Sequence, residues 1–218
     1  LQHPARLVPL AFLLAIMAGT LLLMLPAARA GAGSAPFLTA LFTASSAVCV
    51  TGLAVQDTPT YWSGFGQAVI LGLVQIGGLG IMSGSALLGL LVTRRLRLGA
   101  RLVAQAETRS LALGDVVSVL RLILAVTISI ELLTTAALTA RLHWAHGETW
   151  GEAGWHGLFL AVGAFNNSGF AVYSGSVMRF ALDPLILGPI MAAVILGGIG
   201  FPVLHELRRA PFQPARWS

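Results

Sequence analysis

The segment Pro36-Phe37-Leu38-Thr39-Ala40-Leu41-Phe42-Thr43-Ala44-Ser45-Ser46-Ala47-Val48-Cys49-Val50-Thr51-Gly52-Leu53-Ala54-Val55 decides the fold. It is too apolar for an ordinary external loop and too short for an ordinary span. Ser34 stands where an N-cap is expected, and Pro36 falls in the first helical turn. The segment therefore reads as a short helix giving way to an extended stretch around Gly52, the pattern of a re-entrant pore loop. Gly154 to Val172 reads the same way. Irregular backbone at membrane depth is stable only where protein or a water-filled path surrounds it. Both half-spans are thus expected to lie among other helices.

Those other helices are visible as longer apolar runs. Crossing the hydrocarbon layer takes about 20 apolar residues, and Leu7 to Pro26, Gln67 to Thr93, Leu122 to Ala140 and Pro184 to Leu207 each supply such a run. Across the 218 residues, 56% are hydrophobic and 10% charged, and the mean hydropathy is +0.85. A soluble domain carries about a quarter charged residues. That balance excludes a soluble nucleic-acid binder, a disulfide-stapled module and a disordered tail. The single cysteine, Cys49, says nothing of redox compartment.

All 13 basic residues are arginine, against 8 acidic residues, for a net charge of +5. Arg6, Arg94, Arg95, Arg97, Arg101, Arg109, Arg121, Arg208, Arg209 and Arg216 fall on the side that holds both termini; Arg29, Arg141 and Arg179 fall on the other. Retention of positive charge in cytoplasmic loops places both termini and the 94–121 connector in the cytoplasm. The connector intersperses arginine with Leu96, Leu98, Leu102, Val103, Leu111, Leu113 and Val116. It reads as one or two amphipathic segments, held by anionic lipid or docking a regulatory partner.

The chain also repeats itself. With Gly52 placed over Gly169, an offset of 117, Leu41-Phe42 falls on Leu158-Phe159, Ala44 on Ala161, Ala47 on Ala164, Thr51 on Ser168 and Ala54-Val55 on Ala171-Val172. Gly77-Gly78-Leu79-Gly80 falls on Gly197-Gly198-Ile199-Gly200 at an offset of 120. The expected fold is an all-α membrane protein of two helix–pore loop–helix repeats, with four transmembrane helices and two re-entrant half-helices. Residues 1–93 form the first repeat, 94–121 the connector, 122–207 the second repeat and 208–218 a cytoplasmic tail. Parallel repeats put matching elements around a central path. A dehydrated cation on that path needs carbonyl oxygens in place of water. Gly52 and Gly169 let the backbone turn its carbonyls inward, and the preceding helices present their negative ends.

Four motifs carry a resemblance: Phe42 to Leu53, Gln75-Ile76-Gly77-Gly78-Leu79-Gly80-Ile81-Met82, Phe165-Asn166-Asn167-Ser168-Gly169-Phe170 and Gly197-Gly198-Ile199-Gly200-Phe201-Pro202-Val203-Leu204. Together they resemble the TrkH/KtrB superfamily of bacterial potassium transport subunits. The resemblance implies potassium uptake through a pseudo-fourfold, potassium-channel-like pore of four repeats, with one filter glycine in each. It maps the first filter strand onto Val50, Thr51, Gly52 and Leu53 and the second onto Asn167, Ser168, Gly169 and Phe170. Potassium, as substrate, would meet the carbonyls of Val50, Thr51, Gly52, Asn167, Ser168 and Gly169. No cofactor and no catalytic residue is implied. This chain carries the first two of the four repeats, so either the gene continues beyond Ser218 or two copies pair; a fragment is the expectation. Expected partners are the bilayer of the bacterial inner membrane, the remaining two repeats, a second protomer in a homodimer and a cytoplasmic nucleotide-binding ring of the TrkA/KtrA kind, with no nucleic acid. A sodium-permeable relative of the family remains an alternative.

Other residues admit other readings. Gly77, Gly78, Gly80, Gly197, Gly198 and Gly200 read as a helix-packing surface, and Ser83 breaks any Gly-x-Gly-x-x-Gly dinucleotide pattern. Glu131, in mid-span, is costly to bury and a functional candidate by default; a structural carboxylate touching Ser129, Thr134 or a neighbouring helix is the favoured reading. His143, His146 and His156 with Glu148 and Glu152 could be scored as a metal cluster, but the spacing fits no zinc pattern, and the segment reads instead as a solvated turret feeding the second pore helix. An intramembrane hydrolase using that cluster, or Ser83 or Ser85, is the alternative of a different class. The sequon Asn166-Asn167-Ser168 lies within a pore loop and is discounted.

Overall fold

The apolar runs become helices in the same order in each half of the chain. The computed structural model describes residues 4–81 and 114–199. The first half runs through α1 (Pro4–Leu23), α2 (Phe37–Val48), the single turn α3 (Thr58–Tyr61) and α4 (Gly64–Ile81 within the described residues). The second half runs through α5 (Gly114–His146), α6 (Trp150–Phe165) and α7 (Pro184–Ile199). No strand occurs among the described residues, whose only bridge pairs Arg29 with Trp62.

Helix ends differ from the sequence expectation for identifiable reasons. The third run was expected over Leu122 to Ala140, yet α5 extends past both ends, because neither glycine nor proline interrupts it between Gly114 and Gly147. Residues 114–121 of the expected connector are therefore helical. Gly147, at φ +72°, stops the helix as left-handed glycines do. Ser34 is not the cap of α2: Pro36 occupies that position with no side-chain hydrogen bond. The second half-span begins at Trp150 rather than Gly154, because Thr149 and Glu152 close a capping box. Thr149 Oγ1 accepts from Glu152 N at 3.3 Å, and Glu152 Oε2 accepts from Thr149 N at 3.2 Å. Hydrogen bonds from Thr149 hold the Glu152 carboxyl below its ordinary value.

The exterior is apolar. Leu13, Leu14, Met17 and Leu21 on α1, Leu132 and Leu133 on α5, and Leu185, Met191 and Ile195 on α7 are all exposed. An aqueous domain rarely leaves so much contiguous apolar surface uncovered. Two described helices, Gly64–Ile81 and Leu120–His146, are long and apolar enough to cross a membrane; α2, α7 and Pro9–Leu23 of α1 are shorter apolar helices. The interior is made of small and aromatic residues. Ala40, Ala44 and Ala47 are fully buried on one face of α2, at helical spacing. The last two turns of α6 are buried all round, from Phe159 through Phe165. α2 packs on α1, while α6 packs on α5 and α7, so each short helix rests on other helices of its own half. The Arg-rich connector from 94 to 113, the tail, Ser83, Ser85 and the motif from Gly200 to Leu204 lie outside the described residues.

Candidate functional site

The two short helices end in the same way. Cys49 N donates to Ser45 O at 2.9 Å, Val50 N to Ala47 O at 3.2 Å and Thr51 N to Ser46 O at 2.9 Å. Asn166 N donates to Val162 O at 3.1 Å, Asn167 N to Ala164 O at 3.0 Å and Ser168 N to Gly163 O at 2.8 Å. Each set is a Schellman closure, with the residue after the cap in the left-handed region. The torsions match as closely: Val50 and Asn167 have φ of +55° and +56°, and Gly52 and Gly169 have φ of +70° and +72°. Every pair is separated by the offset of 117 read from the sequence. A β-branched residue in this region is a true outlier, so Val50 is strained where Asn167 is at ease.

The loops then meet. A Cβ on Gly52 would collide with the Ser168 carbonyl oxygen and lie 2.8 Å from Gly169 Cα, and one on Gly169 would lie 3.2 Å from Gly52 Cα. Glycine is thus required at both positions twice over, by torsion and by approach. A cavity of about 280 Å³ opens beside the contact, lined by Gly52, Gly169, Asp57, Phe170 and Tyr173 among others. Ser174 Oγ donates to Asp57 Oδ2 at 2.6 Å across its rim; the two residues are themselves 117 apart.

The helix glycines hold this arrangement from behind. A Cβ on Gly77 would run into the carbonyl of Val48, the last residue of α2, and one on Gly197 into the carbonyl of Phe165, the last residue of α6. One on Gly78 would strike Asn166 Oδ1. These three glycines therefore seat the ends of the short helices and are not a general helix-packing surface. Gly80 does face a helix, since a Cβ there would lie 2.8 Å from the Phe12 ring of α1; one on Gly198 would have only Asn167 within 4 Å.

The four mapped positions of each loop are not held alike. Thr51 Oγ1 donates to Ser46 Oγ at 2.9 Å, whereas the equivalent Ser168, 1% exposed, has no partner for its hydroxyl. Gly163 stands where Ser46 does, and Ser168 Oγ fills the space its side chain would need. Leu53 is 63% exposed and Phe170 only 5%.

Sequence reasoning did not find a polar cluster behind the second loop. Glu131 of α5 accepts from Gln75 Nε2 of α4 at 3.2 Å and from Asn166 Nδ2 at 3.2 Å. Its partner is thus a neighbouring helix, as one expectation had it, while Ser129 donates to Ala125 O and is not involved. Gln67, eight residues before Gln75, accepts from Trp155 Nε1 of α6 at 3.0 Å. Two glutamines on one broad face of an apolar helix were the available signal.

Two of the three histidines meet Glu148, at different atoms, and the third does not: His143 Nδ1 lies 2.7 Å from the Glu148 carbonyl oxygen, His156 Nδ1 lies 2.9 Å from Glu148 Oε2, and His146 Nε2 lies 2.9 Å from Asp183 Oδ2. They form no metal-holding group among the described residues. Tyr173, beside the cavity, donates to Glu148 Oε1 at 2.7 Å. Burial, and then Glu148, push its hydroxyl far above the ordinary phenol value. Arg141 and His146 both bind Asp183, at 3.0 and 2.9 Å, and together with the Leu185 N–H hold its carboxyl down to about 2, His146 contributing most.

The profile of the TrkH family, described as cation transport protein, matches residues 7–210. The chain belongs to the TrkH family. It is 38% identical over 206 residues to Ktr system potassium uptake protein B of Bacillus subtilis (strain 168), covering 94% of this chain and 45% of that protein. It is 33% identical over 218 residues to Ktr system potassium uptake protein D of the same strain, covering 98% and 47%. Against potassium/sodium uptake protein NtpJ of Enterococcus hirae the identity is 31% over 204 residues, covering 94% and 45%. The chain spans about half the length of the curated relatives it matches. TrkH family members are membrane transport proteins and not enzymes, so the hydrolase reading falls.

Proposed function

We propose that this TrkH-family chain forms two helix–pore loop–helix repeats of a potassium uptake pore, in which ions pass the backbone carbonyls of Val50, Thr51, Gly52 and Leu53 on one side and Asn167, Ser168, Gly169 and Phe170 on the other. The observation that carries this reading is the meeting of two loops with the same torsions at Gly52 and Gly169. Their carbonyls stand in for a hydration shell, the negative ends of α2 and α6 favour a cation, and Asp57 and the cavity form the outer mouth. Potassium as the ion follows from the relatives' names; the potassium/sodium name of the Enterococcus hirae protein favours sodium permeation as the second reading.

Two repeats enclose half of a pore. Two further repeats of the same gene product complete it, in a homodimer of the whole, embedded in the bacterial inner membrane. Four spans, with α1 and α7 beside the two longest helices, leave both termini in the cytoplasm, where ten of the thirteen arginines would lie. The connector at 94–121 is the docking surface for a TrkA/KtrA-like ring. Potassium-uptake-deficient cells expressing the complete gene product are expected to regain growth at low potassium, and Gly52→Asp or Gly169→Asp to abolish the rescue. No rescue by the wild type, or equal rescue by both variants, would overturn the reading.

A further inference from the structure

Glu131 is 7% exposed and Asn166 5%, and the three polar side chains that meet there come from three elements. Gln75 lies on α4 of the first half, Glu131 on α5, and Asn166 caps α6 immediately before Asn167, Ser168 and Gly169. Both carboxylate oxygens are used: Oε2 accepts from Gln75 Nε2 and Oε1 from Asn166 Nδ2, each at 3.2 Å. Asn166 Nδ2 also reaches Gln75 Oε1 at 3.0 Å and Val162 O at 2.9 Å. Gly78 leaves the notch into which Asn166 Oδ1 fits. No ion pair to Glu131 occurs among the described residues. The first loop has nothing of the kind, since the residue equivalent to Asn166 is the exposed, free Cys49.

We infer that Glu131 is a positioning residue for ion selection: through Gln75 and Asn166 it fixes the base of the second loop against the first half of the protein, and so sets how far the carbonyls of 167–169 can close on an ion. The inference rests on the proposal that these loops filter cations. A carboxylate accepts only, so it can hold two amide donors at once in a way an apolar residue cannot. Without it, Gln75 Nε2 loses its acceptor and Asn166 loses one of its three in a site of low dielectric, where an unpaired donor is costly. The loop would then relax, and a looser ring of carbonyls admits the smaller ion more readily.

The test is the potassium-to-sodium flux ratio of the complete gene product in proteoliposomes, at equal protein incorporation. Glu131→Leu is expected to lower the ratio about tenfold, the equivalent of one buried hydrogen bond. Gln75→Leu should lower it in the same direction, and the double variant should fall no further than the worse single one, since the residues act as a unit. Glu131→Gln, which keeps an acceptor for Asn166 but turns its own NH2 towards Gln75 Nε2, should fall between the wild type and Glu131→Leu. Leu138→Ala, a fully buried change elsewhere on α5, should lower thermal stability and leave the ratio alone. Where Glu131→Leu fails to insert, Gln75→Leu decides. A wild-type ratio in these variants beside a lowered one in Gly52→Ser would overturn the inference and leave the pore reading standing; a wild type carrying no potassium would overturn both.

Discussion

Residues 49–52 and 166–169 follow the same path, yet their supports differ. The first loop is held from within, by the Thr51–Ser46 hydroxyl pair, and carries a strained Val50. The second is held from outside itself: Asn166 is tied to α4 and α5, and Asn167, comfortable in the left-handed region, reaches Val194 O of α7 at 3.4 Å. What the two share is backbone: the Schellman closures, the two glycines and the glycine seats under α2 and α6. The comparison teaches that the carbonyl path is the common element and that side-chain supports diverged around it.

The largest expected effect tests what is shared. Gly77→Ala and Gly197→Ala each force a methyl into a backbone carbonyl and should each cost at least about 1–3 kcal/mol, read as loss of thermal stability in the purified complete gene product. Tolerance of one and not the other would break the equivalence of the two halves. Exchanging the strained position comes next. Val50→Asn should gain about 1–2 kcal/mol by relieving a left-handed β-branched residue, and Asn167→Val should lose at least as much. The same melting curves report both.

Ser46→Ala removes the internal support of the first loop and should cost about 0.5–1.5 kcal/mol; the second loop offers no matching change, because Gly163 already lacks a hydroxyl. The smallest effect is at Asp183, just before α7. With its carboxyl lowered to about 2 from 3.8, largely by His146, Asp183 contributes stability that is present above pH 4 and lost as the pH falls towards 2. Asp183→Asn should therefore melt earlier than wild type at neutral pH and converge with it near pH 2. A gap that persists at pH 2 would show that the contribution is not electrostatic.

Much of this was legible in the sequence because it is carried by local pattern. The offset of 117, the glycines at 52 and 169 and the order of helices all follow from apolar runs and residue matches. Glu131 stood out as a carboxylate in an apolar run. Its partners did not, because Gln75 and Asn166 are 56 and 35 residues away and no periodicity links them. Thr149 and Glu152 have capping-box spacing, but a half-span opened at Gly154, where the apolar run starts, leaves both in the solvated segment before it. Gly78 could not be told from Gly80 by sequence, since what separates them is Asn166 on one side and Phe12 on the other. Nor did anything local predict a left-handed valine, which only the closure at Ser46 and Ala47 imposes.

The central claim, that the glycine contact between the loops selects the ion, is tested most directly by the potassium-to-sodium flux ratio of Gly52→Ser in proteoliposomes. Gly72→Ser, on α4 with open space around it, is the control, because Gly78 touches Asn166 and is not neutral. The account predicts near-normal membrane insertion and a sharply lowered ratio for Gly52→Ser, with the wild-type ratio for Gly72→Ser. A wild-type ratio in Gly52→Ser would contradict it.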